Sequence, residues 1–577
     1  MTTLELPEAH APRHERVSSS SSAAETAVDP EEYTEQTFPK AIPKTIPPKH
    51  ESRTLVLCFD GTGDQFDADN SNIVQLCSLL KKDDRSQQMV YYQSGVGTYE
   101  PPKIPGLLTS KMYKAVDLLI ACSLDAHVMD GYQFLMQNYC AGDRICIFGF
   151  SRGAYTARSL AGMLHKVGLL PPDNRQQVPF AYKMYTRTDE IGWCQSTAFK
   201  EAFCIDVPIE FVGVWDTVDS VGLVPKRLPF TASNTIIRTF RHALSLDEHR
   251  VKFKANLWNV PTARDLKLST PKSSPLSSRK NTVDSRLHKP WHIDGLESGI
   301  TWCPEDQKIL EKMEELHSSP HAQRTDVEEV WDAIVVCPLI LPSPYKSTIN
   351  PSITTDVGGG SVKNSTRYSL SRIPLRWMIR ECFKAGTGIM FDSERLSLTG
   401  IDPATLYPSV MPRPPALSVV SAVTPTGETK TPLLQRMISM FRHHPLPASD
   451  EGQTFPQEAS IEDPPIGTEE EEELRDVLSP IYDQLKLLKS WWILELIPLE
   501  FRQQLGNGEW VSWFGLNLGR PREIPNPSNG VKVHRTVRMR MEAFHEHNLR
   551  KKYLPKAHFK NPVWIDDGVP SQAGQRN

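Results

Sequence analysis

Short unbroken apolar runs alternate with stretches of helical spacing over the first half of the chain. Thr54–Asp60 is one such run, closed by Gly61-Thr62-Gly63. A continuous apolar run ended by glycines predicts a parallel strand buried on both faces, followed by a tight loop. Met89–Gln93, Arg144–Phe150, Ile209–Trp215 and Val251–Trp258 predict further strands by the same reasoning. Between them, Ala115–Cys140 carries helical periodicity and reaches the third strand through Ala141-Gly142-Asp143. Ser151–Val167 is helical and is stopped by Gly168 and Pro171-Pro172. The segment Arg241–His249 also reads as helical. Strands alternating with helices predict an α/β fold: a mostly parallel sheet with helices on both faces.

Four stretches depart from this pattern. Residues 1–50 hold the Ser18–Ser22 run and regular prolines from Pro39 to Pro48, and are expected to be a disordered tail. Residues 51–402 form the folded domain, interrupted by a Ser/Lys/Pro-rich insertion at 262–290 and by a second insertion at 332–355. Residues 403–475, ending in the acid run Glu469–Glu473, read as a solvated, disordered linker. Residues 476–577 are expected to be a C-terminal helical extension packed on the catalytic domain. Within it, Asp476–Leu499 reads as a helix whose Trp491 and Trp492 give it an apolar anchor, while Val531–Met541 is basic and partly amphipathic.

Composition narrows the function classes. Over 577 residues the net charge is -4, so the overall balance does not favour nucleic acid or an anionic membrane surface. The mean hydropathy of -0.39 and the 47 prolines agree with sizeable unfolded stretches. Ten cysteines without a CxxC pair do not make a disulfide framework or a zinc site, and Cys58, Cys146 and Cys204 read as small core residues. The N-terminus has no apolar signal core, and no apolar stretch is long enough to span a bilayer. A cytoplasmic, reduced setting is therefore expected, with no cofactor and no metal. His443-His444 lacks metal-ligand spacing.

The chemistry concentrates at Gly149-Phe150-Ser151-Arg152-Gly153. The motif follows a predicted strand and opens a predicted helix, which is the strand–turn–helix setting of an α/β-hydrolase nucleophile elbow. Glycines on both sides let the serine take a strained backbone without clashes. The helix that begins at Arg152 directs its N–H groups and dipole at a developing oxyanion. A serine needs a base, and the base an orienting acid, in the chain order Ser, Asp or Glu, His. Asp216, at the tip of the strand Ile209–Trp215, is the candidate acid. The turn Asp60-Gly61-Thr62 is expected to lie beside the elbow and lend backbone N–H groups to the oxyanion hole. The same turn copies the end of the phosphoaspartate motif Asp-x-Asp-Gly-Thr. The nucleophile of that motif would fall at Cys58, so phosphoaspartate chemistry lacks its carboxylate.

Taken together, Leu55–Gly63, Gly149–Arg158, Val212–Val218, Arg241–Glu248 and Asp356–Gly360 resemble one family across roughly residues 53–395. It is the catalytic domain of type VI secretion phospholipase effectors, once a domain of unknown function, and the chain is most similar to its fungal soluble members. The resemblance implies an α/β-hydrolase fold and Ser–Asp–His esterase or phospholipase chemistry, with Ser151 as nucleophile and Asp216 as acid. The family usually delivers its histidine just ahead of the motif matched here by Asp356, Gly358 and Gly359. In this chain no histidine lies between Trp331 and Asp356. The expectation is that 332–355 is translated intron or a splice variant, a point that comparing transcript with genomic sequence decides. His242 and His249 are then the remaining candidates for a base or a pocket residue; His534 stands beyond the linker. Two functions compete: a serine esterase acting on a small-molecule or lipid ester, and a non-catalytic binding or scaffold protein keeping the fold. The apolar stripe at Trp491–Leu494 is expected to pack on the core rather than to touch a membrane.

Overall fold

The computed structural model describes residues 42–61, 64–95, 110–218 (110–123 as backbone only), 227–259, 310–314, 325–332, 358–360, 362–418, 467–487, 489–527, 529–543 and 553–566. Residues 1–41 of the tail expected at 1–50, the insertion at 262–290 and residues 333–355 lie outside the described residues; residues 42–50 are not a disordered tail, since Thr45–Ile46 pairs with Phe391–Asp392 and Ile46 is buried.

The centre is an eight-stranded sheet in which every neighbouring pair is parallel. After the two-residue β1 (Thr45–Ile46), its strands in chain order begin with β2 (Thr54–Phe59), β3 (Gln88–Gln93) and β4 (Arg144–Phe150). They continue with β5 (Ile209–Trp215), β6 (Ile237–Ser245) and β7 (Asp326–Asp332). A small ribbon pairs β1 with β8 (Phe391–Asp392), and β9 (Leu499–Gln504) pairs with β10 (Trp510–Gly515) as a separate hairpin. The last two strands of the large sheet are β11 (Val531–His534) and β12 (Pro562–Ile565). Their spatial order is β12-β11-β7-β6-β5-β4-β2-β3.

Helices cover both faces. On one, α2 (Ser110–Asn138), α3 (Arg152–Val167), α4 (Val178–Thr186) and α5 (Glu190–Phe203) bury Val128, Leu135, Leu160, Leu164 and Phe199 against Leu55, Leu57 and Val212. On the other, α1 (Asn72–Leu79) and α6 (Arg372–Lys384) bury Ile73, Leu76, Trp377 and Met378 against Val56, Phe148 and Phe211. Every residue of β2 is buried, which is why its sequence is one unbroken apolar run. No helix among the described residues is long and apolar enough to cross a membrane.

Several expectations are corrected. The segment holding His242 is strand β6, not helix. It lies between two strands, and its buried Arg241 is held by Glu381 (2.6 Å) and Asp326 (2.6 Å), so its polar residues disguise a central strand. Val251–Trp258 is not a strand of the sheet: Val251–Phe253 is a single 3₁₀ turn and Ala255 makes one isolated bridge to Val218. The helix expected over Asp476–Leu499 ends at Val477, three residues ahead of Pro480, and among the described residues continues as the short turns Gln484–Leu487, Lys489–Trp491 and Trp492–Glu495. The C-terminal region is not purely helical, since it supplies β11 and β12 to the central sheet.

The acid run is the largest correction. Glu469–Val477 is a helix, α7, opened by a capping box between Thr468 and Glu471. Its Glu469, Glu472 and Glu473 are buried. Glu473 accepts from Arg413 (2.7 Å) and Arg535 (2.8 Å), and Glu472 from Arg367 (3.0 Å) and Arg372 (3.1 Å). Glu469 takes Arg380, and Asp476 pairs with Arg376 at 2.7 Å. Burying carboxylates is costly unless each has a cation partner, and here the cations come from α6 and the residues before it, from Arg413, and from the C-terminal α8 (Arg535–Glu542). Arg413, Thr468 and the helix that follows therefore belong to the folded body.

Candidate active site

Ser151 sits where β4 turns into α3, with φ 54° and ψ -117°. This backbone strain is held from both sides. The Ser151 N–H donates to the Trp215 carbonyl at 2.9 Å, locking the turn to the tip of β5. A Cβ on Gly149 would lie 2.5 Å from the Gly153 carbonyl oxygen, and one on Gly153 would lie 2.3 Å from that of Asp60. The two glycines of the motif are therefore steric necessities. The Ser151 side chain is buried, and its Oγ has no hydrogen-bond partner among the described residues. The N–H groups of the first turn of α3 have no acceptor within the helix, the arrangement that receives an oxyanion.

The Asp60 turn does lie against the elbow, as the contact with Gly153 requires. The Gly61 N–H, however, is directed to the Asp60 carboxylate at 2.8 Å. That carboxylate also accepts from the Ser71 hydroxyl (2.6 Å) and the Tyr92 hydroxyl (2.8 Å). Burial nevertheless pushes the Asp60 carboxyl up to about 6, against the pull of these three donors. Burial and the neighbouring Asp60 raise Asp64 well above the usual carboxylate range, and its Oδ2 has no hydrogen-bond partner among the described residues. Thr62 and Asp356 lie outside the described residues. Gly358 rests on the Phe150 ring, and its carbonyl accepts from the Asn72 N–H at 2.6 Å. Gly359, at φ 83°, bridges Ser71. The glycines of the Asp356–Gly360 motif thus reach the residue immediately before Ser151.

Asp216 stands at the tip of β5 with φ 46°, next to the elbow. Its carboxylate is held by Arg522, Nη1 to Oδ1 at 2.5 Å and Nη2 to Oδ2 at 2.8 Å, and by the Ser245 N–H at 2.9 Å. No histidine hydrogen-bonds it among the described residues. His242 is buried; its Nε2 accepts from the Thr217 N–H at 3.0 Å and its Nδ1 faces Glu329 at 2.9 Å. Burial lowers its pKa, which favours the neutral ring, and the Thr217 N–H donating to Nε2 places the proton on Nδ1. His249 is engaged by the Gly519 carbonyl (3.1 Å), Asp483 (2.9 Å) and Lys556 (2.6 Å). Neither histidine hydrogen-bonds Ser151. His534 lies on β11, four places from β4 in the sheet, or roughly 19 Å at the usual strand spacing.

The sequence reading missed Ser71, Tyr92 and Asp64 as companions of Asp60, and Arg522 as the partner of Asp216. A second acid four residues after Asp60 was the visible signal for Asp64. For Arg522 no local signal exists, because the pair spans 306 positions.

Comparison with known proteins adds the following. Residues 53–381 match the family described as the catalytic domain of type VI secretion system phospholipase effectors of the Tle1-like kind. A Saccharomyces cerevisiae protein described as uncharacterized is 29% identical over 567 residues, covering 86% of this chain and 80% of its own. Among solved structures, an uncharacterized protein from Pseudomonas aeruginosa is 18% identical, with 59% of this chain and 46% of that one covered and a TM-score of 0.27. The Tle1 effector bound to the VgrG spike is 18% identical, with 36% of this chain and 47% of that one covered and a TM-score of 0.20. The chain spans less than half the length of either solved chain.

Proposed function

The chain belongs to the Tle1-like phospholipase effector catalytic-domain family, and from that premise we propose that it is a serine hydrolase cleaving acyl esters of lipids at Ser151. The observation that carries this reading is the elbow itself. A strained serine whose Oγ has no hydrogen-bond partner among the described residues stands at the N-terminus of a buried helix, on glycines that nothing larger can replace. In the reaction, Oγ attacks the ester carbonyl, the first turn of α3 receives the negative charge, and the alcohol leaves with a proton delivered by the base. Water then hydrolyses the acyl-enzyme. Asp216 is proposed as the acid of this site; its Oδ1 already accepts from Arg522 and the Ser245 N–H, while Oδ2 accepts from Arg522 and keeps a second lone pair for a histidine. The family's histidine comes just ahead of the motif that Gly358 belongs to, and this chain has none between Trp331 and Asp356, so His242 and His249 are the candidates left for the base.

A specific observation favours the second reading, a binding protein that keeps the fold: His242 and His249 are both committed to other partners. Labelling by a fluorophosphonate separates the two. The probe is applied to the chain, to Ser151→Ala, and to a version in which 332–355 is replaced by the family's histidine-bearing segment. Labelling of the chain itself, lost in Ser151→Ala, establishes the hydrolase. Labelling of the replaced version alone makes this chain an impaired form. Labelling of neither leaves the binding reading.

A further inference from the structure

An oxyanion hole on a nucleophile elbow takes one donor from the start of the helix after the serine and a second from the loop after a neighbouring strand. In this chain that loop joins β2 to α1 and opens at Asp60. Its Gly61 N–H is committed to the Asp60 carboxylate at 2.8 Å. The next described residue of the loop is Asp64.

Asp64 is built into the wall of the elbow. Its N–H donates to the Gly61 carbonyl at 3.0 Å, and its own carbonyl accepts from the Gly95 N–H at 2.9 Å, so its backbone is held from both sides. The residue is only 7% exposed. A Cβ on Gly61 would lie 2.3 Å from Asp64 Oδ2 and 2.6 Å from the Phe150 ring, so the carboxyl and the ring meet over that glycine. Phe150 is the residue before Ser151. Two buried oxygens without a hydrogen-bond partner among the described residues, Asp64 Oδ2 and Ser151 Oγ, are thus gathered around it.

The state of this carboxyl follows from its neighbours. The charged groups that act on Asp64 are Asp60, Asp67 and Asp69, all acids. Asp60 accepts from Gly61, Ser71 and Tyr92, whereas Asp64 Oδ2 accepts from none of the described residues. Two buried carboxyls side by side cannot both ionise readily, and the one without donors keeps its proton. A protonated carboxyl donates a hydrogen bond, and in a buried site it can serve a developing oxyanion.

We propose that the Asp64 carboxyl supplies the second hydrogen bond of the oxyanion hole, donating its O–H to the ester oxygen that becomes negative when Ser151 attacks. The proposal rests on the serine-hydrolase reading above. As Oγ bonds to the carbonyl carbon, the C=O pair moves onto oxygen and is held by Asp64 and the first turn of α3. Asp64 keeps its proton throughout, and its hydrogen bond relaxes when the carbonyl re-forms and the alcohol leaves.

The test is the rate of fluorophosphonate labelling, because the phosphonyl oxygen enters the same hole. It is measured for the parent, Asp64→Ala and Asp64→Asn, in the chain or, where only that form labels, in the version with 332–355 replaced. Asp64→Ala is expected to label on the order of a hundredfold more slowly, the usual effect of losing one such donor. Asparagine keeps the shape and an N–H donor, so Asp64→Asn is expected to stay within about tenfold of the parent. A pH profile separates donation from packing. The parent loses its donor as Asp64 ionises, so the ratio of the asparagine variant's rate to the parent's should rise between pH 6 and 10, with Asp60, Tyr92 and the base common to both. Where Asp64→Ala does not fold, the asparagine variant and its profile carry the test. Labelling of Asp64→Ala as fast as the parent assigns the second donor to a backbone N–H of the loop and overturns the proposal. An asparagine variant as slow as the alanine one, or a ratio that stays flat, overturns it too, with the hydrolase left standing. Labelling of neither the chain nor the replaced version removes the hydrolase reading, and the proposal with it.

Discussion

Arg522 grips Asp216 with two parallel hydrogen bonds, 2.5 and 2.8 Å long, in a place where both side chains are all but inaccessible to water. The guanidinium also donates to the carbonyls of Phe253 and Ser245, so its fork is committed to the tips of β5 and β6. Arg522 lies outside the stretch 53–381 that matches the family. A residue of the C-terminal region therefore completes the edge of the sheet next to Ser151. Removing one partner of a buried pair leaves an uncompensated charge, which costs about 3–5 kcal/mol. Arg522→Met is expected to lose that much stability in urea unfolding, and Asp216→Asn added to it is expected to restore part of the loss. A double variant no more stable than Arg522→Met would show that the charge of Asp216 is not what Arg522 neutralises.

The strain at Ser151 gives a second expectation. A non-glycine residue held at φ 54° carries roughly 1–3 kcal/mol of backbone strain. Its hydroxyl makes no hydrogen bond with the described residues to offset that. Ser151→Gly is expected to raise stability by about 1 kcal/mol after the entropic cost of glycine, while abolishing fluorophosphonate labelling. Ser151→Ala keeps the strain and should leave stability nearly unchanged. Thermal unfolding of both variants checks this, and a destabilised Ser151→Gly would mean the side chain is held by a group that the strain argument lacks.

What could be read from sequence follows a physical division. Strands β2, β4 and β5 were legible because a strand buried on both faces in a parallel sheet must be apolar throughout, as Leu55–Phe59 is. The elbow was legible because its glycines are forced by contacts within a few residues and by one neighbouring turn. Strand β6 was not, since Arg241 and His242 are buried on the strength of Glu381, Asp326 and Glu329, all distant in sequence. Helix α7 was hidden for the same reason: five consecutive glutamates read as solvated unless Arg380, Arg413 and Arg535 are known to surround them. The hairpin β9–β10 did carry a local signal, the Gly506-Asn507-Gly508 turn, which the expectation of a helical C-terminal extension left unread.

Helix α7 predicts how the protein answers to acid. Burial alone would raise the Glu473 carboxyl, but Arg413 and Arg535 outweigh it and hold the group at about 2 in the fold. The arginines around Glu469 and Glu472 lower those two as well. A carboxylate depressed in the folded state stabilises above its unfolded pKa, near 4.5, and that contribution is lost as pH falls towards 2. For Glu473 alone the loss is about 3 kcal/mol. Urea unfolding between pH 7 and 3 should therefore show stability falling steeply below about pH 4.5. Glu473→Gln is expected to start less stable at pH 7 and to show a flatter acid limb; an acid limb as steep as that of the unsubstituted chain would place the titration elsewhere.

Asp64 predicts the opposite slope. Its carboxyl is raised, first by burial and then by Asp60, Asp67 and Asp69, and its Oδ2 lies close over Gly61 without a hydrogen bond from the described residues. A carboxyl raised in the fold keeps its proton while the unfolded chain gives its own up near pH 3.9, so stability declines as pH rises from there to the folded pKa. Asparagine has the same shape and no charge to lose. Asp64→Asn is expected to stabilise the protein at pH 8, where ionisation favours the unfolded parent but not the variant, by about 1.4 kcal/mol for each pH unit by which the fold raises the carboxyl. The gain should shrink to nothing near pH 4. Thermal unfolding of both proteins at the two pH values gives the comparison directly. A variant less stable than the parent at pH 8 would mean that the folded protein holds Asp64 ionised against a positive partner, and the shared burial with Asp60 would have to be explained by that partner instead.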